Sequence, residues 1–177
     1  MNRRLAHGFD SEHENVPRPP VRAVVGLGSN LGDRVATLDA ALAELQRLPL
    51  VDDVRASAPV ESVAVTPDGP DAERPAYLNA VALVQTRLAP SVLLAFLQAI
   101  ETRHGRERRE RWGDRTLDLD LIAYGDVVSR DAHLTLPHPR AAERDFVLVP
   151  WLSLDPDAEI PGAGRVEDLL AQLRSTA

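Results

Sequence analysis

The chain has 177 residues, a length that favours a single domain at the usual ~100–200 residues per domain. It contains no cysteine, which excludes disulfides, thiolate metal sites and thiol nucleophiles, and all 20 of its basic residues are arginine, which excludes a Walker A lysine and Schiff-base chemistry. A net charge of −7 argues against general affinity for nucleic acid, so any bound phosphate must be met by arginine, backbone or metal.

No stretch approaches the ~18 apolar residues of a membrane span, and Met1-Asn2-Arg3-Arg4 is not followed by a signal-peptide core, which predicts a cytoplasmic protein. Residues 1–20 are polar and end in Pro17-Arg18-Pro19-Pro20, so they read as a disordered tail ahead of one domain over residues 21–177. Val21 to Leu27 is short, apolar and partly β-branched, a buried strand that meets a turn at Gly28-Ser29-Asn30. From Leu31, Val35, Leu38, Leu42 and Leu45 recur at helical spacing, with Asn30 as the expected N-cap and Pro49 beyond the end. Val51 to Val65 reads as a strand leading into a loop, and Thr66 to Pro75, with three prolines and a glycine, reads as irregular. Tyr77 to Leu88 alternates as a third strand, and Pro90 opens a second helix through Leu93, Leu94, Leu97 and Ile100 to Gly105. After the charged stretch from Arg106 to Arg115, Leu117, Leu119, Leu121 and Ile122 form a fourth strand up to Tyr124-Gly125. The tail from Leu134 holds short helices near Val147 to Leu154 and Val166 to Leu173. The order βαββαβ predicts an α+β, ferredoxin-like sandwich, an antiparallel sheet with both helices on one face, followed by a C-terminal extension.

The chemistry concentrates in a few places. The glycines of Gly26-Leu27-Gly28-Ser29-Asn30-Leu31-Gly32 are spaced wrongly for a dinucleotide loop, so the segment is a tight strand-to-helix turn or a point of ligand contact. In Thr116-Leu117-Asp118-Leu119-Asp120-Leu121 the leucines share one strand face and the two aspartates the other, about 7 Å apart. Each aspartate alone suits a polar outer face. Together they form a platform for nucleotide-bound Mg²⁺, an ion usually held by one or two carboxylates with water and phosphate oxygens completing its shell. Between residues 101 and 115, six arginines outnumber four acidic residues in an otherwise acidic chain, and guanidinium forks bind phosphate oxygens bidentately. Trp112, inside this polar run, would stack on a heteroaromatic ring or an arginine, or pin the loop. Tyr77 and Asn79 share a strand face, and an Asn amide can read a heterocycle's neighbouring donor and acceptor. Leu136-Pro137-His138-Pro139-Arg140 with Arg144 and Phe146 adds a second cationic and aromatic cluster, in which His138 either contacts phosphate or caps the next helix.

Taken in order, Gly28-Ser29-Asn30-Leu31-Gly32, Tyr77-Leu78-Asn79-Ala80, Glu101 to Arg106, Arg111-Trp112-Gly113-x-Arg115-Thr116-Leu117-Asp118-Leu119-Asp120 and Pro137-His138-Pro139-Arg140 with Arg144-x-Phe146 resemble the 6-hydroxymethyl-7,8-dihydropterin pyrophosphokinases of folate biosynthesis. The resemblance runs from about Val21 to the end of the chain. It implies an ATP-dependent diphosphotransferase that moves pyrophosphate from ATP to the pterin's hydroxymethyl oxygen and releases AMP, acting as a monomer with two Mg²⁺ ions. It also implies the site residues. Asp118 and Asp120 would ligate both magnesiums, and Arg106, Arg115, His138 and Arg144 would hold the ATP phosphates, with Arg111 beside them. Trp112 would shield the site; Gln98 and Glu101 would lie on the ATP side. Ser62, Val63, Val65, Tyr77, Asn79 and Phe146 would form the pterin slot, beside Trp112 and Asp118. Pro139 stands where some relatives place an aromatic, and residues 1–20 have no counterpart. The competing class is a ferredoxin-like nucleotide- or RNA-binding module without turnover, disfavoured by the missing RNP string and the acidic charge.

Overall fold

The computed structural model describes residues 19–66, 69–105 and 116–176. Most of the expected N-terminal tail, and the charged stretch that carries Arg106, Arg111, Trp112 and Arg115, lie outside the described residues. The central strand β1 (Val21–Ser29) pairs antiparallel with β6 (Tyr77–Thr86) on one side and β7 (Asp118–Tyr124) on the other. The far edge of β6 is shared by β2 (Val51–Ala56) and β3 (Val60–Ser62), giving a five-stranded antiparallel sheet in the order β2-β6-β1-β7 with β3 beside β6.

The strand expected over Val51 to Val65 is interrupted between Ala56 and Val60, where Pro59 has no N–H for a ladder bond. The segment expected to be irregular holds a small hairpin, β4 (Ala64–Thr66) against β5 (Gly69–Asp71), in which Gly69 stands at φ +116°, a backbone conformation that glycine adopts without steric cost. A second hairpin, β8 (Ser129–Asp131) with β9 (Leu134–Leu136), follows the sheet and was not anticipated.

Period-two alternation on β1 sends Ala23, Val25 and Leu27 to one face of the sheet, where α1 (Arg34–Gln46) and α2 (Pro90–Arg103) pack. α1 is capped by Asp33, whose carboxylate accepts the Ala36 N–H at 3.0 Å; Asn30, the expected cap, instead donates to the Pro75 carbonyl. Its buried stripe is Leu38, Ala41 and Leu45, whereas Val35 in the first turn is exposed. α2 buries Leu93, Leu97 and Ile100 beside Leu117, Leu119 and Leu121 of the fourth-strand region, as the leucine spacing predicts.

The C-terminal extension forms a third layer on the opposite face. A short turn at Ala141–Glu143, α3 (Asp145–Leu154), the two-residue ladder β10 (Glu159–Ile160) with β11 (Gly164–Arg165), and α4 (Val166–Ser175) enclose a second core. There Val147, Leu148, Trp151, Val166 and Leu170 bury Val24, Val81 and Leu83 of the sheet. An irregularity in the β1–β7 register between Val24 and Val25 brings Ile122 and Ala123 both into this core. The layer covers only one end of the sheet face. At the other end of that face, β1 carries glycines.

Candidate active site

Gly28 stands opposite Asn79 of β6 and Asp118 of β7, and Gly26 stands opposite Val81 and Asp120. Directly opposed residues share a face, so Asn79, Asp118 and Asp120 project on the side where β1 has no side chain. A Cβ at Gly28 would lie 3.3 Å from Asn79 Oδ1 and 3.7 Å from Tyr77 Cδ1, and one at Gly26 would lie 3.3 Å from Ile122 Cδ1. The two glycines, expected in a tight strand-to-helix turn or at a point of ligand contact, are the floor of a cavity of 670 Å³ walled by Tyr77, Asn79, the aspartate pair, His138, Arg144 and Phe146. That volume suits a small-molecule site.

The carboxylate pair occupies one end. Asp118 and Asp120 are half-buried on β7, the last strand of the sheet. Asp120 Oδ2 lies 3.4 Å from Arg144 Nη1 and 3.9 Å from His138 Nε2. The His138 backbone N–H donates to Ile122 O at 2.8 Å, and its Nδ1 accepts the Arg140 N–H at 3.2 Å, which leaves Nε2 toward Asp120. The imidazole therefore does two things, steadying the Ala141–Glu143 turn with one nitrogen and facing the acid with the other. Burial pushes its pKa below the ordinary 6.5; the nearby Asp120 charge opposes this, and Arg144 and Arg140 reinforce it. Arg144 precedes α3 and also lies over the Phe146 ring, with Cζ 5.6 Å from its centroid.

The other end is aromatic and amide-lined. Asn79 is 6% exposed. Its Nδ2 donates to Ser62 Oγ at 2.9 Å and, at 3.5 Å, to the Val60 carbonyl. Both donors of the amide are thus engaged inside the protein, and Oδ1 is the atom turned over Gly28. This differs from the expectation that carbonyl and amide would both be offered to a ring. The cause is register: β3 sets Val60 opposite Asn79 and Ser62 opposite Tyr77, within reach of the amide nitrogen. The start of α1 braces this wall. Arg34 donates to Ala76 O at 2.7 Å and to Glu61 Oε1 at 2.8 Å, beside Tyr77 and Ser62 respectively.

Of the residues expected in the site, Ser62, Val63, Tyr77, Asn79, Asp118, Asp120, His138, Arg144 and Phe146 converge on the cavity. Val65 pairs through its backbone with Pro70 in the β4–β5 hairpin. Gln98 is exposed on α2, and Glu101 is buried on the same helix, on the sheet face away from the cavity. Arg106, Arg111, Trp112 and Arg115 lie outside the described residues. Arg140, which had no role of its own in the sequence reading, also lines the cavity, as do Gly26 and Gly28, so of the two readings of the glycine segment the cavity favours the point of ligand contact. The i, i+2 glycine spacing within a strand was the available signal for a floor.

A family model described as 7,8-dihydro-6-hydroxymethylpterin-pyrophosphokinase matches residues 24–156. The chain is 43% identical over 156 residues to the 2-amino-4-hydroxy-6-hydroxymethyldihydropteridine pyrophosphokinase of Synechocystis, spanning 88% of this chain and 77% of that protein. To the enzyme of the same name from Haemophilus influenzae it is 40% identical over 152 residues, spanning 86% of this chain and 92% of the relative. Among solved structures, an HPPK-DHPS triple mutant from Plasmodium falciparum is similar with a TM-score of 0.69 at 15% identity over 93% of this chain, and an HPPK-DHPS in complex with substrates with 0.68 at 11% identity over 90%. The chain spans 46% and 44% of those two longer chains, and at such identities the likeness is one of fold.

Proposed function

The chain belongs to the 7,8-dihydro-6-hydroxymethylpterin-pyrophosphokinase family, and from that premise we propose that it transfers the pyrophosphoryl group of ATP to the hydroxymethyl oxygen of 6-hydroxymethyl-7,8-dihydropterin, releasing AMP in folate synthesis. The observation that carries the reading is the two-ended cavity over Gly26 and Gly28, with an aromatic and amide wall at one end and a carboxylate, imidazole and guanidinium cluster at the other. A flat heterocycle suits the first and a metal-bound polyphosphate the second.

At the ring end, Asn79 Oδ1 would accept from the heterocycle, while Tyr77 and Phe146 flank it and Ser62, Val63 and Val65 complete the slot. At the phosphate end, His138 and Arg144 would meet the ATP oxygens, joined by Arg106, Arg111 and Arg115, with Trp112 closing over them. Gln98 and Glu101 belong to the ATP side of this assignment. Asp118 and Asp120 would hold Mg²⁺, two ions arriving with ATP: two hard oxygen donors on one face are the partial set this ion accepts, and its charge would offset that of the phosphates. Attack by the pterin hydroxyl forms a bond from its oxygen to the β-phosphorus, breaks the bond to the α,β-bridging oxygen and leaves the electron pair on AMP. Such a transfer needs in-line placement and fixed positive charge rather than a covalent intermediate. Neutral His138, whose Nδ1 accepts the Arg140 N–H, offers its Nε2–H there as an uncharged donor, and Asp118 or Asp120 is within the same cluster to take the hydroxyl proton.

No described helix is long and apolar enough to cross a membrane, and a monomeric cytoplasmic enzyme is the arrangement proposed. The test is AMP formation from ATP, which should depend on the pterin. Asp118→Asn and Asp120→Asn should each lower turnover at least ~100-fold, the upper range for loss of a metal-supporting group, while the melting temperature changes little. ATP consumption that ignores the pterin, or near-wild-type turnover by either variant in excess Mg²⁺, would overturn the assignment.

A further inference from the structure

Arg34 is the first residue of α1, where the positive end of the helix dipole disfavours a cation. Beyond the capping Asp33, the first turn has no acidic residue to offset it. The guanidinium is engaged outside the helix instead: Nη1 donates to Ala76 O at 2.7 Å and Nη2 to Glu61 Oε1 at 2.8 Å. The two acceptors belong to different strands of the ring wall, Glu61 in the middle of β3 and Ala76 immediately before β6. Glu61 stands opposite Leu78, a residue of the core under α1 and α2, whereas Val60 and Ser62 stand opposite Asn79 and Tyr77. Opposed residues share a face and successive ones alternate, so Arg34 meets Glu61 on the helix side of the sheet, behind the wall that Ser62, Tyr77 and Asn79 present to the cavity.

We propose that Arg34 is a positioning residue for the ring wall, a two-pronged clamp that holds β3 to the start of β6 from the side away from the cavity. This rests on the reading of that wall as the pterin slot. β3 has three residues and pairs with β6 only through Val60, Glu61 and Ser62, and the 2.9 Å bond from Asn79 Nδ2 to Ser62 Oγ depends on that register. That bond in turn directs Asn79 Oδ1 over Gly28. A planar guanidinium fixes the angle between its donors, so one group sets both strands at once, which a point charge could not do. The Pro75 carbonyl next to Ala76 accepts from Asn30 at 3.5 Å, which leaves Arg34 the shorter of the two ties on this segment. Glu61 is 63% exposed, and an ion pair so exposed adds little to stability, so the clamp is read in ligand affinity and not in the melting temperature.

A double-mutant cycle tests the clamp. Arg34→Met and Glu61→Met each keep an apolar stem and remove the charged head, and the double variant removes both. Calorimetry measures two affinities for each protein: that of 6-hydroxymethyl-7,8-dihydropterin with the magnesium complex of a non-hydrolysable ATP analogue already bound, and that of the analogue complex alone. Arg34→Met should weaken pterin binding roughly three- to tenfold, the equivalent of one ring hydrogen bond made imperfectly, and leave the analogue within about twofold of wild type, with urea unfolding little changed. Glu61→Met should lose less, because the Ala76 contact survives, and the double variant should bind pterin no more weakly than Arg34→Met, since both changes disable one device. The proposal is overturned if Arg34→Met binds pterin as wild type does, if pterin and analogue weaken equally, which would mark a general loosening of the fold, or if the two single losses add in the double variant. Wild type separates this failure from that of the underlying reading. If wild type binds no pterin, the slot itself is misread and the clamp falls with it; if wild type binds pterin and Arg34→Met matches it, only the clamp falls.

Discussion

Asn79 illustrates how one side chain is spent. Its amide nitrogen is committed to Ser62 and Val60, so Asn79→Asp removes two donors used inside the protein and sets a carboxylate against the Val60 carbonyl. The expected cost is about 1–3 kcal/mol of folding stability in urea unfolding, the range for a buried polar group left unmet. Pterin affinity should fall as well, since Oδ1 loses its orientation, while affinity for Mg·ATP without pterin stays near wild type. Unchanged stability would show that the Ser62 contact carries no weight. His138 carries a pH signature. Its folded pKa is below 6.5, so between that lowered value and 6.5 the folded state binds fewer protons than the unfolded chain. This contribution to stability is complete above about 6.5 and lost as pH falls below it. Unfolding measured from about pH 5 to 7 should slope upward with pH, and His138→Gln should flatten that part of the slope; an unaltered slope would assign it to other groups.

At the scale of the element, β1 is built with two different faces. Toward α1 and α2 it offers Ala23, Val25 and Leu27; on the other side Val24 packs under the third layer, and Gly26 and Gly28 leave room beyond it. Gly28 is not at a positive φ, so Gly28→Ala meets no backbone strain there. The new methyl group would press on Asn79 Oδ1 from 3.3 Å and fill the floor. Filling the floor and displacing the Asn79 acceptor should lower pterin affinity by roughly tenfold, while the strain on the Asn79 side chain should cost stability no more than about 0.5–1.5 kcal/mol. Calorimetry with the pterin decides it: unchanged affinity would mean the ring does not sit over Gly28.

For the whole molecule, the third layer ties the site to the fold. α3 begins beside Arg144 and Phe146 at the cavity and runs back to Trp151, which is buried against the sheet and α4. Trp151→Ala should cost about 3–5 kcal/mol in urea unfolding, as expected for a large buried aromatic. It should also weaken nucleotide binding, because the helix that presents Arg144 loses its anchor. A small change in stability would show that the layer adds little to the cooperative core.

The chain's own sequence was sufficient for the order of strands and helices in the sheet, the face shared by Asp118 and Asp120, and the motif string that identified the family, because these depend on periodicity and on residue types at fixed spacing. Long-range packing decided the rest. Whether the extension after Leu134 lay beside the sheet or upon it depended on Val24, Val81 and Leu83, residues far apart in the chain that a strand pattern marks as buried without saying by what. Gly26 and Gly28 had the local look of a turn and became a floor only when β6 and β7 set Asn79, Asp118 and Asp120 opposite them. The Asn30 cap failed for a related reason: its amide found the Pro75 carbonyl, 45 residues away, and Asp33 took over the helix end. Local spacing reports which face a residue occupies; only the folded register reports what stands across from it.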